Sequence, residues 1–156
     1  MPKILVAGIG NVFLSDDAFG VEVAAVLLKR PQPDHVTVGD FGIRGFDLAY
    51  ALMEDVDLAI LIDALPHGQP PGTLYLLEPD PSRAGAAVEG HAMTPMAVFG
   101  LVKSMGGSMP RVMIVGCEPE SIEEGMGLSG PVAAAVFRAV EMVENLVKQE
   151  EAIWVG

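Results

Sequence analysis

The sequence predicts an α/β fold, a three-layer α/β/α sandwich around a mostly parallel five-stranded sheet. Three observations predict it. "KILVAG" (3–8), "LAILID" (58–63) and "RVMIVG" (111–116) are continuous apolar runs, as expected of strands covered on both faces. Segments with helical spacing of apolar residues alternate with them, the arrangement of βαβ units. No internal repeat, linker or low-complexity stretch interrupts the 156 residues, so one α/β domain over 1–156 is expected.

Each element has its own signal. The first strand, 3–8, ends on glycine, and "DAFGVEVAAVLLKR" (17–30) reads as a helix with Phe19, Val23 and Val26 or Leu27 in one apolar row. Ser15 or Asp16 is placed to cap it, and "PQPD" breaks it. "HVTVGD" (35–40) is a short strand, followed by the loop "FGIRG" and a helix near 45–53. The third strand, 58–63, ends on an aspartate, and "TLYLLE" (73–78) is a strand expected at an edge. Residues 79–93 read as irregular. "TPMAVFGLVKSMG" is a helix with Pro95 in its first turn, where a missing N–H costs nothing. The fifth strand is 111–116. From Ser129 to about Lys148, Val132, Val136, Val140, Val143 and Val147 make an apolar stripe, with Arg138, Glu141, Asn145 and Lys148 on the wet side.

Composition narrows the function classes. Nine Lys and Arg against 21 Asp and Glu give a formal charge of −12. That balance speaks against nucleic acid or an anionic membrane as partner, since both require clustered cations. It suits a protein that attracts metal cations or a basic peptide. Mean hydropathy is +0.42, yet no apolar run approaches the roughly 20 residues that span a bilayer. With no signal-peptide pattern at the start, a cytoplasmic location is expected. The single cysteine, Cys117, allows no internal disulfide and no cysteine-based zinc cage.

"AGIGNVFLSDDAFG" (7–20) poses the functional question, because two aspartates stand where a phosphate cradle would need cations. Gly8 and Gly10 fit a dinucleotide fingerprint, but its third glycine is Phe13, and no P-loop lysine follows. In α/β sheets ligands bind beyond the carboxyl ends of the strands. Asp16 and Asp17 follow the first strand, Asp40 ends the second, Asp63 ends the third, and Cys117 and Glu118 follow the fifth. If the strands before Asp17 and Asp63 are neighbours, a spacing of about 4.8 Å brings the two carboxylates close. Two such charges about 5 Å apart repel by roughly 1–3 kcal/mol, a penalty that a divalent cation reverses.

One histidine added to two aspartates gives a mixed oxygen and nitrogen set with open positions, better suited to a borderline transition metal than to magnesium or calcium. His91, in "VEGHAMTP", precedes a helix and can fold back over this edge; His67, four residues beyond Asp63, is the other candidate. His35 begins a strand on the opposite edge and reads as structural. The bland account gives Asp16 and Asp17 helix-capping and first-turn roles worth about 0.3–2 kcal/mol each. It leaves unexplained the aspartate that ends an otherwise apolar strand. Cys117 at a strand end reads as a small buried hydrophobe rather than a nucleophile.

Taken together, "GIGNVFLSDDAFG", "AILIDAL", the His91 segment and "IVGCEPESIEEGMGLS" resemble the hydrogenase maturation endopeptidases, over about residues 3–147 and in the same order. The resemblance implies an α/β/α hydrolase that removes a short C-terminal peptide from the precursor of a nickel–iron hydrogenase large subunit after metal assembly. It further implies that the precursor's own nickel is recognised through Asp17, Asp63 and His91, with Asp16 as a capping or supporting neighbour. Asp17 stands where many members carry glutamate, Ala18 replaces a frequent glycine, and Ile43 stands where threonine is common. Asp40 and Arg44, in the loop after the second strand, are candidates to touch the substrate. No Ser–His–Asp set or HExxH motif offers a general base or nucleophile. The alternative reading is a nickel-sensing binding module or maturation chaperone of the same fold that docks the precursor without cutting it.

Overall fold

The computed structural model describes residues 1–83 and 94–156; His91 and its neighbours from 84 to 93 lie outside the described residues. Five strands form one sheet: β1 (Ile4–Ile9), β2 (Val36–Gly42), β3 (Leu58–Ala64), β4 (Leu74–Leu77) and β5 (Arg111–Cys117). Their order is β2-β1-β3-β5-β4. All neighbours are parallel except β4, which runs antiparallel along β5 at the edge. The strand expected at an edge is therefore the one that departs from the parallel pattern. The connection from 65 to 73 holds no helix, so the chain turns back after β3 and lays β4 antiparallel along the outer side of β5.

The helices are α1 (Phe19–Leu28), α2 (Gly45–Leu52), α3 (Pro95–Ser104) and α4 (Gly130–Val155), with a short 3-10 turn over Ser15–Ala18 before α1. Side-chain alternation on the central strands divides the core into two layers. Ile4 and Val6 of β1 and Leu58, Ile60 and Ile62 of β3 pack with Phe19, Val23 and Leu27 of α1 and the valine stripe of α4. Leu5, Ala7, Ile9, Ala59 and Leu61 point the other way, onto Leu48 and Leu52 of α2 and Val98, Phe99 and Val102 of α3. Every residue of β1 and β3 is buried, which is why both read as unbroken apolar runs.

Local signals explain the ends of the elements. Thr94 caps α3 by accepting from the Ala97 N–H at 3.2 Å, and Pro95 follows in the first turn. The last helix runs to Val155, past the end of its apolar stripe near Lys148. Its final turns meet polar side chains from the sheet edge instead. Arg111 Nη1 lies 2.9 Å from Glu150 Oε2, and His35 Nε2 lies 2.6 Å from Glu151 Oε2, so His35 belongs to the amino-terminal edge of the sheet. No described helix is long and apolar enough to cross a membrane.

Candidate metal-recognition site

β1 and β3 are direct neighbours, so the turn carrying Asp17 and the strand end carrying Asp63 meet on one edge. Two glycines set how closely. At Gly10 φ is +142°, and a Cβ there would fall 1.8 Å from the Asp17 carbonyl oxygen. Only a glycine lets the chain fold back onto the Asp17 turn at this point. At Gly20 a Cβ would fall 2.0 Å from the Ile62 carbonyl oxygen and 2.4 Å from that of Ile9. The first turn of α1 is thereby seated on the ends of both central strands, with Asp17 just before it and Asp63 just after Ile62.

Asp17 is half-buried, and its Oδ2 accepts the Asn11 N–H at 2.8 Å. Asp63 is only 4% exposed. Burial pushes its carboxyl well above the usual carboxylate range, the charge of Asp17 adds to the rise, and the Ala64 N–H, 2.9 Å from Oδ1, opposes it. Among the described residues no Lys, Arg or His forms an ion pair with either acid. A buried acid raised by desolvation and by a like charge gains most from a cation placed between the two. Two carboxylate donors on one edge are a set that suits a divalent metal ion.

His67 does not complete this set. Among the described residues no group of three His, Cys, Asp or Glu side chains is arranged to hold a metal ion. The His67 N–H instead donates to Glu118 Oε1 at 2.8 Å, and its ring meets Tyr75 edge-on with centroids 5.0 Å apart. His91, the other histidine candidate, lies outside the described residues.

Asp16 does not cap the helix that follows it; neither the 3-10 turn nor α1 has a side-chain cap. Its carboxylate, 1% exposed, is taken by the loop between β5 and α4. Oδ2 accepts from Glu120 N at 2.8 Å, Ser121 N at 3.2 Å and Ser129 Oγ at 2.9 Å, while Oδ1 accepts from Ser129 N at 2.7 Å. Burial alone would raise this carboxyl, but the Ser129, Glu120 and Ser121 donors together bring it below its ordinary value. Ser15, at φ 53°, is held in the left-handed region by the same loop: its N–H donates to Gly125 O at 2.9 Å and its hydroxyl to Glu123 O at 2.8 Å. The Asp17 turn is thus clamped from the side of β5.

Glu118 had no assigned role beyond its place on the acidic edge. It accepts from His67 N, Gln69 N at 3.0 Å and the Tyr75 hydroxyl at 2.6 Å, tying down the loop between β3 and β4. The Tyr75 hydroxyl bond, foremost, and the two backbone donors hold its carboxyl low despite burial. No spacing signal could have revealed either clasp, because the partners of Asp16 lie 104 to 113 residues away and those of Glu118 43 to 51. Cys117 is fully buried, and burial, with the nearby Asp16 charge, pushes its thiol up to about 11. A thiol in that state supplies no nucleophile at neutral pH.

Asp40 and Arg44 are exposed on the β2 side, with β1 between them and Asp63. Arg44 donates to the Asp40 and Phe41 carbonyl oxygens and lies 3.6 Å from Asp47 Oδ2, so it braces its own loop. Among the described residues neither is hydrogen-bonded or ion-paired to Asp17 or Asp63.

Residues 21–146 match the sequence profile of the hydrogenase maturation protease family. The chain is 32% identical over 145 residues to the hydrogenase 2 maturation protease of Escherichia coli K12, covering 90% of this chain and 88% of that one. It superposes on the structure of a hydrogenase maturating endopeptidase from E. coli with a TM-score of 0.78 at 28% identity, over 96% of this chain and 94% of that one. A [NiFe] hydrogenase maturation protease from Thermococcus kodakarensis superposes with a TM-score of 0.70 at 26% identity, over 94% and 92% of the two chains.

Proposed function

This chain belongs to the hydrogenase maturation protease family, and from that premise we propose that it removes the C-terminal extension of a nickel–iron hydrogenase large-subunit precursor once nickel is in place. As a member of the family it is an endopeptidase. The observation that supports nickel recognition is the Asp17–Asp63 pair: a buried acid beside a like charge, with no cation offsetting either among the described residues. Asp17 and Asp63 supply two ligands to the precursor's nickel, and His91 the third. The remaining coordination positions belong to the substrate, so an extension is cut only when its precursor carries metal.

The chain's own contribution is then positional. Asn11 orients Asp17, the Ala64 N–H orients Asp63, and Gly10 and Gly20 bring the two together. Asp17 and Asp63 would hold a divalent ion, and that ion would supply Lewis acidity toward a substrate carbonyl or serve only to dock the precursor. A net charge of −12 supports a protein rather than nucleic acid as the partner.

The test is the intact mass of a large-subunit precursor before and after incubation with this protein, with nickel-loaded and nickel-free precursor in parallel. Loss of a C-terminal peptide from the loaded precursor alone is the expected result. A loaded precursor that stays whole yet co-elutes with the protein would replace the reading with a non-proteolytic binding module.

A further inference from the structure

The loops on the carboxyl-terminal edge of the sheet carry large apolar side chains in the open. Phe13, between β1 and the 3-10 turn, is 65% exposed, Ile43 after β2 is 62% exposed, and Met126 after β5 is 72% exposed. Phe46 at the start of α2 and Ile122 in the loop after β5 are also exposed. They are not scattered. Gly10 N donates to Gly42 O at 3.0 Å, joining the β1 and β2 loops, and Gly125 N donates to Phe13 O at 2.9 Å, joining the β1 and β5 loops. Leu14 and Gly125 form a parallel bridge beside that bond. The loops that bear Ile43 and Phe46, Phe13, and Met126 and Ile122 are thus linked side by side into an arc, with the Asp17 turn following Phe13.

We propose that this arc is a docking face for the folded body of the precursor large subunit, gripping it while its metal reaches Asp17 and Asp63. The assignment rests on the processing function proposed above. Three observations support that occupant over others. Its Phe13 segment leads directly into the Asp17 turn, where Asp17 N donates to Leu14 O at 3.1 Å, so a protein delivering a metal there lies beside it. Its loops are pinned by backbone hydrogen bonds and by the Asp16 carboxylate, which gives a preorganised surface suited to a folded partner. Exposed Glu120, Glu123 and Glu124 sit in the same loop as Ile122 and Met126. The face it fits is therefore apolar at its centre and fringed with Lys or Arg, a match to a chain of charge −12.

The experiment compares wild type with Phe13→Ser/Met126→Ser and with Glu123→Lys/Glu124→Lys, using nickel-loaded precursor. Equilibrium binding, KM and kcat for extension removal, thermal midpoint and sedimentation are all read. The apolar double variant is expected to weaken precursor binding and raise KM by roughly tenfold or more, with the loss in KM rather than kcat and an unchanged midpoint. The charge-reversal variant is expected to slow association and flatten its salt dependence. If wild type binds precursor without cutting it, the processing reading fails while the docking face is still judged by the variants' binding. Wild-type affinity in the apolar double variant overturns the proposal, as does a wild type that binds no precursor. A wild-type dimer that becomes monomeric in that variant, with precursor affinity intact, assigns the face to a second copy and also overturns it.

Discussion

Gly20 lies so close to Ile62 that a Cβ on the glycine would fall 2.0 Å from the Ile62 carbonyl oxygen. This contact seats α1 on the end of β3 and sets the distance between the turn that carries Asp17 and the strand that carries Asp63. Gly20→Ala must push the helix away, because the atom it meets is backbone and cannot rotate aside. The variant is expected to lose about 1–3 kcal/mol of stability in urea unfolding. It should also lose more nickel-dependent processing than its stability loss accounts for.

Asp63 predicts an unusual pH dependence. Its folded pKa lies above the ordinary value of 3.8, so the folded state holds the proton more tightly than the unfolded chain. Stability from this group is therefore full below about pH 3.8 and is lost as pH rises through the folded pKa. Asp63→Asn escapes that loss. Thermal midpoints in a chelator should favour the variant at neutral pH, by an amount on the order of 1 kcal/mol or roughly 2–4 °C, and converge with wild type near pH 3.5. The same substitution should abolish processing. A variant less stable than wild type at pH 7 would show that Asp63 is satisfied without a cation.

Asp16 predicts the opposite sign. Its folded pKa lies below 3.8, so its contribution is present at neutral pH and is lost as pH falls through the folded value. Asp16→Ala leaves the Glu120, Ser121 and Ser129 N–H groups without their acceptor. A cost of about 2–4 kcal/mol is expected at pH 7, shrinking in acid, by urea denaturation. Faster amide exchange across residues 120–129 would locate the loss in the loop.

The histidines are separable by activity. His91→Ala should abolish removal of the extension while leaving the thermal midpoint unchanged; Asp17→Asn should abolish it too, with a midpoint somewhat raised at neutral pH because its repulsion of Asp63 is gone. His67→Ala keeps its backbone bond to Glu118 and should retain near-normal processing. Inactive His67→Ala alongside active His91→Ala would exchange the two assignments.

Cys117 should be inert. Fully buried, with its thiol pushed up to about 11, it is expected to resist thiol reagents in the native protein and react only on unfolding. Cys117→Ala should keep full processing activity; a dead, folded variant would revive a thiol mechanism.

Local pattern carried most of the architecture. "KILVAG", "LAILID" and "RVMIVG" read as strands covered on both faces because the apolar runs are short, rich in Val, Ile and Leu and ended by glycine or aspartate, and β1, β3 and β5 lie at the centre of the sheet. The valine stripe from Val132 to Val147 marked α4, but its last turns were hidden, since they rest on Arg111–Glu150 and His35–Glu151 pairs rather than on periodicity. In the site, the position of Asp63 at the end of an apolar strand was visible for the same reason that the strand was: a charge stands out in an apolar run.

By itself, then, the sequence determined the layers, the strand ends and the acids that collect along one edge, because burial and period are properties of neighbouring residues. Only the tertiary structure decided what those acids do. It separates Asp16 and Glu118, satisfied by donors far along the chain, from the Asp17–Asp63 pair, where the described residues provide no offsetting cation. The reason is physical: a carboxylate's role depends on which donors and charges surround it, and here those arrive from β3, β5 and the loops beyond them, at separations that no local pattern encodes.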